Sequence, residues 1–326
     1  MLLRKVVVLT YSDEIRVIAR VARLYYERNM NQAEIADQLG LSQATVSRLL
    51  NRAHKEGIIR IIVTIPNGVH THLEEDLVEK FNLQDAIVVD SIDCDNEETI
   101  QRELGTAAAY YLENIIRTNE VIGLSSWSGT LLAMVEALNS APRKAGIKVV
   151  QILGGVGNPA VETHATHLTS RLAQLLKAEA IYLPVSGVVA TKAARDILLA
   201  DEFVQQAVKL FDEITIALVG IGAVEPSPLL KKSGNIFSPQ ETELLQKNHA
   251  AGDILLRFFD NHGCLLNTGL ENRVISMELD QLSQVKKAIG VAGGTRKFQG
   301  ILGALKGRWV NILITDRCTA EKLIKN

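Results

Sequence analysis

The chain has 326 residues, of which 47% are hydrophobic, 22% charged and 5% aromatic, so we expect about two domains with cores that need neither disulfides nor metals. Its three cysteines are widely spaced, which predicts neither a disulfide framework nor a cysteine zinc site. No apolar run reaches the roughly 20 residues that span a bilayer, and no secretory signal is present, so the sequence predicts a cytoplasmic protein without membrane contact. The net charge of −2 is unevenly divided, because residues 1–60 carry ten lysines and arginines against six acidic residues. A basic head on an acidic body favours a polyanionic partner for the head.

Three short helices are predicted in the first 60 residues. Apolar residues recur there at helical spacing, and the predicted helices cover Asp13–Arg28, Gln32–Leu39 and Gln43–His54. Asn31 followed by Glu34 has the pattern of a capping box, and Gly40 suits the left-handed conformation that ends a helix. Two helices joined by a tight glycine turn form a helix-turn-helix.

The exposed face of the third helix carries side chains that suit DNA. Glutamine and arginine can bond to base edges, alanine and the threonine methyl can contact thymine, and hydroxyl groups suit phosphate oxygens. The predicted DNA-binding residues are Gln32, Ser42, Gln43, Ala44, Thr45, Ser47, Arg48, Asn51 and Arg52. A turn and a strand over residues 56–65 would follow, either as a wing or as the strand that packs against the head and leads out of it. The alternative is a pair of helices whose polar face is merely solvated.

A break at residues 66–72 predicts the domain boundary, with a helix-turn-helix domain over residues 1–65 and a larger domain over residues 66–326. Beyond the break, apolar runs alternate with helical stretches. The runs are Ala86–Val89, Val121–Leu124, Lys148–Leu153, Ala180–Leu183, Ile214–Val219, Ala288–Val291 and Val310–Ile314. The last six have the character of buried strands between helices, which predicts a Rossmann-like α/β domain with a parallel sheet.

Glycine and small polar residues follow nearly every predicted strand. Loops at the carboxyl ends of parallel strands converge, and their backbone N–H groups can hold an anion, so we expect a shared ligand pocket there. Residues 220–222 lack the third glycine of the dinucleotide fingerprint, and no stretch fits a P-loop. We therefore predict no cofactor and no metal. The best anion candidate combines residues 126–130 with Gly154, Gly155, Arg296 and Lys297.

The two parts together resemble the SorC family of bacterial sugar-responsive transcription regulators. In the head the resemblance rests on residues 25–36, 39–50 and 56–59, and in the body on residues 126–130, 154–155, 220–222, 250–254, 257–260, 293–297 and 309–316. It implies a body related in fold to sugar-phosphate isomerases and glucosamine-phosphate deaminase, phosphorylated sugars as effectors, and tetramers.

The resemblance also implies roles for individual residues of the body. Small residues of the first loops would hold phosphate or sugar hydroxyls, an aspartate would accept from hydroxyls, and a lysine would pair with phosphate. The implied effector-binding residues are Ser126, Gly129, Thr130, Gly154, Gly155, Asp253 and Lys297. Trp127 departs from the small residue expected in its loop and could narrow the pocket or stack on a sugar.

The leading hypothesis is a transcriptional regulator of a carbohydrate or polyol operon, active as a dimer or tetramer, whose operator affinity depends on a phosphorylated sugar or polyol. Repressor and activator remain open, as does a carboxylate in place of phosphate. One alternative is a sugar-phosphate isomerase or deaminase, because enzymes on this fold use a carboxylate and a lysine. Another is an oligomeric scaffold whose head pairs subunits.

Overall fold

The computed structural model describes residues 11–59, 70–91, 93–139, 144–158 and 163–326. Their contacts divide the chain into two compact units, residues 1–64 and 65–326, which we call the head and the body. Within the described ranges, no helix has both the length and the apolar character needed to cross a membrane.

The head consists of three helices, α1 (Tyr11–Tyr26), α2 (Gln32–Leu39) and α3 (Gln43–Lys55). The predicted capping box is confirmed, because the Asn31 side chain accepts from the backbone N–H groups of Ala33 and Glu34 (both 3.0 Å) while Glu34 accepts from the Asn31 N–H (2.9 Å). Gly40 ends α2 with φ = 64°, as predicted. A small buried core joins the three helices and contains Val21, Leu24, Ile35, Val46 and Leu50.

Two predictions for the head differ from the structure or lie outside it. Helix α1 ends at Tyr26, before the predicted Arg28, because Asn29 adopts a left-handed conformation (φ = 51°) that breaks the helical path. The predicted wing falls mostly on residues 60–65, which lie outside the described ranges, and the two described residues Ile58 and Ile59 are not in a strand.

The body is built on a seven-stranded sheet in which every neighbouring pair is parallel, in the order β1-β9-β8-β5-β2-β3-β4. Its strands are β1 (Asp85–Val89), β2 (Val121–Leu124), β3 (Lys148–Gln151), β4 (Glu179–Ile181), β5 (Ile216–Gly220), β8 (Lys287–Val291) and β9 (Ile312–Asp316). All seven predicted apolar runs therefore contribute strands. The expectation of burial is wrong for β4, because this strand lies at a sheet edge and its Ala180 and Ile181 are only half-buried.

Helices cover both faces of this sheet. They are α4 (Thr71–Phe81), α5 (Glu97–Ile115), α6 (Gly129–Ala137), α7 (Thr163–Leu176), α8 (Lys192–Leu199), α9 (Glu202–Val208), α10 (Pro228–Ser233), α11 (Pro239–Lys247), α12 (Leu279–Gln284), α13 (Phe298–Lys306) and α14 (Arg317–Lys325). Successive strand residues alternate between two cores, since Val149 packs with α5, α6 and α7 whereas Val150 packs on the opposite side.

A short antiparallel hairpin, β6 (Gly252–Ile254) and β7 (Arg257–Phe259), stands apart from the main sheet. Its two-residue turn consists of Leu255 and Leu256, which have φ values of 57° and 63°. Such a turn normally carries asparagine and glycine, because a side chain at positive φ is strained. The hairpin was not among the predicted strands.

The sequence predicts no disulfide framework, but the structure contains one disulfide that the spacing of the cysteines did not indicate. Cys94 and Cys318 are bonded to each other although 224 residues separate them, and their Cα atoms lie 6.1 Å apart. Spacing along the chain could not reveal this pair, because one cysteine precedes α5 and the other lies in the first turn of α14. Cys264 is exposed and free.

Candidate functional site

A cavity of about 450 Å³ lies beyond the carboxyl ends of the strands, at the point where the strand order of the main sheet changes direction. From β2 the chain continues outward through β3 to β4, whereas β5 lies on the other side of β2 and leads to β8 and β9. Ligands of open α/β proteins bind beyond the carboxyl ends of the strands at such a reversal. The cavity is lined by the loops that follow β2, β5 and β8, by the turn of the β6–β7 hairpin and by the first residues of α5.

Asp253 is the buried carboxylate of this cavity. It lies in β6 with 9% of its surface exposed, and its Oδ2 atom accepts from the backbone N–H of Leu256 at 3.0 Å. Burial raises the pKa of Asp253 to about 6, against the smaller opposing effects of that hydrogen bond and of the Lys297 charge. The carboxylate therefore gains from any further hydrogen-bond donor that enters the cavity.

The loop after β5 approaches Asp253 so closely that it requires glycine. Gly222 and Asp253 exchange backbone hydrogen bonds, and a Cβ atom on Gly222 would overlap the Oδ1 atom of Asp253. The predicted loop at residues 220–222 thus positions a carboxylate through Gly222, whereas a Cβ atom on Gly220 would instead lie 2.9 Å from the Ser128 hydroxyl.

Two cations reach the cavity from the loop after β8. Lys297 is half-buried, and burial followed by the neighbouring Arg296 charge lowers the pKa of its ammonium group. Arg296 is bonded to Glu97 at the start of α5 and donates to the backbone oxygen of Glu225 at 3.1 Å. Its guanidinium lowers the pKa of the Glu97 carboxyl. Lys297 is consequently the cation of this pair with no ion-pair partner within 4 Å among the described residues.

The first turn of α6 also opens into the cavity. Gly129 is its first residue, and Ser128 caps the helix by accepting from the Leu131 N–H at 3.3 Å. A Cβ atom on Gly129 would lie 2.7 Å from Oε1 of Gln101, which also lines the cavity. Free N–H groups and the helix dipole at such an end favour an anion.

Four predicted effector-binding residues lie behind the cavity and are not among its lining residues. Ser126 is buried, donates to the Leu153 oxygen at 2.7 Å and accepts from Gln151 at 2.9 Å. The N–H groups of Gly154 and Gly155 already donate to the backbone oxygens of Ile275 (3.0 Å) and Leu183 (3.4 Å). The fourth residue, Thr130, is 1% exposed.

Trp127 lines the cavity and also connects two of the loops around it. The residue is 6% exposed, and its indole N–H donates to the backbone oxygen of Gly154 at 3.0 Å. This bond ties the loop after β2 to the loop after β3. The large ring therefore narrows the cavity from a fixed position.

Sequence reasoning missed several lining residues. Glu97 and Gln101 come from the start of α5, and Leu255 and Leu256 form the hairpin turn. None of them follows a predicted strand of the sheet. An acidic residue at a helix start usually interacts only with the helix dipole, so no local signal indicated that Glu97 lines a cavity.

The head presents most of its predicted DNA-binding residues on one helix and its cap. Ser42 caps α3 by accepting from the Thr45 N–H at 3.2 Å, and Arg48 donates to the Thr45 hydroxyl at 3.3 Å. The exposed members of the set are Ser42, Gln43, Ala44, Arg48 and Asn51, and the half-buried ones are Gln32, Thr45, Ser47 and Arg52.

Arg52 differs from the rest of this set because acidic groups already surround it. Its guanidinium lies 2.8 Å from Glu56 and 3.4 Å from Glu14. These carboxylates, Glu56 first, raise the pKa of Arg52. A DNA phosphate would have to compete with both of them.

Comparison with known proteins identifies the family. Residues 66–325 match the family model of a sugar-binding domain, and residues 4–56 match the model of sigma-70 region 4. The chain is 34% identical to the sorbitol operon regulator of Klebsiella pneumoniae, over 96% of this chain and 99% of that one. The chain belongs to the SorC family. Its two matches show that it joins a DNA-binding head to a sugar-binding domain.

Further relatives agree with this assignment. The crystal structure of the full-length sorbitol operon regulator SorC from Klebsiella pneumoniae superimposes with a TM-score of 0.72 at 33% identity and covers 96% of this chain and 99% of that one. The deoxyribonucleoside regulator of Bacillus subtilis (strain 168) is 33% identical over 94% of this chain and 96% of the relative. The predicted fold class and the predicted regulatory function are thus confirmed. Because these SorC-family relatives are named regulators, the isomerase or deaminase alternative is set aside.

Proposed function

We propose that residues 1–65 of this SorC-family regulator bind an operator of a carbohydrate or polyol catabolic operon, and that residues 66–326 bind a phosphorylated sugar or polyol that changes operator affinity. The observation that carries the proposal is the cavity at the point where the strand order of the main sheet changes direction. It combines a buried carboxylate, a half-buried lysine and a helix N-terminus in a space of about 450 Å³. A carboxylate suits sugar hydroxyls, whereas a lysine with a helix N-terminus suits phosphate.

The two ends of such an effector would meet different walls. We assign its hydroxyl groups to Asp253 and its phosphate to Lys297 and the first turn of α6 at Gly129. Ser126, Thr130, Gly154 and Gly155 are assigned to the frame that holds these walls, because they are buried and lie behind the lining residues. Trp127 would set the size of the sugar that fits.

In the head we assign base contacts to the exposed side chains of α3. Gln43, Ala44, Arg48 and Asn51 are exposed and have the chemistry to bind base edges or thymine methyl groups. Ser42, Thr45, Ser47 and Gln32 are assigned to phosphates, and Arg52 to a phosphate that displaces an acidic partner.

Helix-turn-helix dimers bind two half-sites one helical turn or a multiple apart, and we propose that this chain forms a dimer or tetramer. Helix α8 has no buried residue, and its Ile197 is 72% exposed. Phe203, in the neighbouring α9, is 69% exposed. An apolar pair of this kind supports a subunit contact. Ile197→Asp is expected to lower the oligomer mass in sedimentation, whereas Lys192→Asp on the same helix serves as the control.

The proposed mechanism is linkage between the two sites. An effector that prefers one arrangement of subunits shifts the population of that arrangement and so changes the fit of paired heads to half-sites about 34 Å or a multiple apart. A regulator that acts on chromosomal DNA is expected in the cytoplasm.

The test is binding of the full chain to its own upstream DNA at constant ionic strength. Sugars and polyols are added in matched free, phosphorylated and carboxylated forms. We expect one phosphorylated compound to change the affinity about tenfold, equivalent to about 1.4 kcal/mol. Lys297→Gln should abolish that response, whereas Lys322→Gln, an exposed lysine on α14, should retain it. A response to the free sugar alone, unchanged by Lys297→Gln, would contradict the assignment of phosphate.

A further inference from the structure

The loop that carries Arg296 and Lys297 is held between two segments from distant parts of the chain. On one side, the Thr295 hydroxyl donates to Asp95 at 2.9 Å, and Arg296 is bonded to Glu97. On the other side, the Gly294 N–H donates to the Asp316 carboxylate at 2.7 Å and lies 3.1 Å from the Thr319 hydroxyl. We call residues 294–297 the clamped loop.

Each of the two clamping segments contains a cysteine. Cys94 directly precedes Asp95, and Cys318 lies between Asp316 and Thr319. Their disulfide therefore joins the two sides of the clamp. Its cysteines are 224 residues apart in sequence, so the bond restricts the chain far more than a local cross-link would.

The surroundings favour reversible thiol chemistry over a metal site. Both cysteines are half-buried and so within reach of small thiols and disulfides. The nearby Asp316 carboxylate, which could be a third ligand, accepts three hydrogen bonds, from Gly294 N–H (2.7 Å), Thr319 N–H (2.9 Å) and the Thr319 hydroxyl (2.6 Å). That carboxylate is already engaged as the cap of α14.

We propose that Cys94 and Cys318 form a reversible dithiol–disulfide pair whose oxidation fixes the clamped loop at the cavity. The oxidant class is a low-molecular-weight disulfide. One cysteine thiolate attacks a sulfur of that disulfide, displaces one small thiolate and forms a mixed disulfide. The second cysteine thiolate then attacks the protein sulfur and releases the other small thiolate. Two protein thiols thus lose two protons and two electrons, and the small disulfide becomes two thiols.

The test uses the full chain carrying Cys264→Ser, which removes the exposed third thiol. Reduced protein is treated with oxidised glutathione, and free thiols and intact mass are measured after denaturation. We expect no free thiol and no glutathione adduct. The additional variants Cys94→Ser and Cys318→Ser should each retain one glutathione, because the resolving thiol is absent. Two free thiols, or two glutathione adducts, in the Cys264→Ser protein would overturn the proposal.

Hydrogen exchange tests the effect on the loop and does not depend on any effector. Reduction should speed exchange of the amides in the clamped loop, residues 294–297, about tenfold and lower the melting temperature by about 5 to 10 °C. The double variant Cys94→Ser/Cys318→Ser should show the fast exchange under both conditions. A disulfide that closes without changing exchange of these amides would refute control of the loop.

Discussion

Gly222 and Asp253 exchange two backbone hydrogen bonds, from Gly222 N–H to the Asp253 oxygen at 2.8 Å and from Asp253 N–H to the Gly222 oxygen at 3.3 Å. No room for a Cβ atom remains between this glycine and the Asp253 carboxylate. Because position 222 of the adjoining loop carries no side chain, the Asp253 carboxylate can point into the cavity.

Gly222→Ala should abolish the effector response while leaving the affinity for operator DNA without effector unchanged. The added methyl group must displace the Asp253 carboxylate, and the cavity then loses its acceptor. DNA-binding titrations with and without the effector measure both quantities. An effector response equal to that of the wild type would show that Asp253 does not need its present position.

The raised pKa of Asp253 predicts a specific dependence of stability on pH. The folded-state value of about 6 lies above the ordinary 3.8, so the folded protein holds this proton more tightly than the unfolded chain. The free energy of unfolding should therefore fall as pH rises from about 4 to about 6, by an amount on the order of 3 kcal/mol, and stay level above that.

Asp253→Asn isolates this contribution. The amide keeps an oxygen that can accept from Leu256 but cannot ionise, so the variant should lose the decline between pH 4.5 and 6.5 in urea unfolding. Because hydroxyl groups of a sugar bind better to the ionised carboxylate, effector affinity should rise with pH through about 6 in the wild type. Parallel pH profiles for the two proteins would rule out titration of Asp253 as the cause.

Arg48→Ala should weaken operator binding by about 1–3 kcal/mol if the side chain reads a base, with reduced discrimination between operator and random DNA. The matched control is Arg23→Ala on α1, an exposed arginine paired with Glu27 at 3.0 Å. Anisotropy titrations over several salt concentrations measure the effect. A uniform loss on all sequences with a smaller salt slope would instead place Arg48 on a phosphate.

Gly40→Ala should destabilise the head by about 1 kcal/mol. Position 40 has φ = 64°, and a Cβ atom there would meet no heavy atom within 4 Å, so the cost is conformational strain alone. Gly40→Asn should lose less, because asparagine tolerates the left-handed conformation. Hydrogen exchange of α2 measures both, and equal protection in all three proteins would argue against strain at this position.

The sequence allowed prediction of those features that depend on local pattern. Asn31, Gly40 and the strand positions of the sheet follow from capping chemistry and from runs of apolar residues, which operate over a few residues. The cavity could be placed at the strand ends for the same reason, since loops after parallel strands must converge. Asp253 and Lys297 were proposed for it through family resemblance, and both line it.

Features that depend on long-range packing were missed. The turn at Leu255 and Leu256 contradicts local preference, because leucine is disfavoured at positive φ, and it persists where both side chains are buried and Asp253 accepts from Leu256. The Cys94–Cys318 bond joins segments that only the sheet order brings together, because β1 and β9 are neighbours at one edge. Neither the turn nor the disulfide could be predicted from residue spacing along the chain.

The fluorescence of Trp127 should report ligand binding in the cavity. The chain has two tryptophans, and Trp309 donates its indole N–H to the Gly263 oxygen, whereas Trp127 lines the cavity. In a Trp309→Phe protein, all indole emission would come from the cavity wall. Compounds could then be screened by fluorescence before any operator is known, and the spectral shift would register the polarity of whatever replaces water beside the ring.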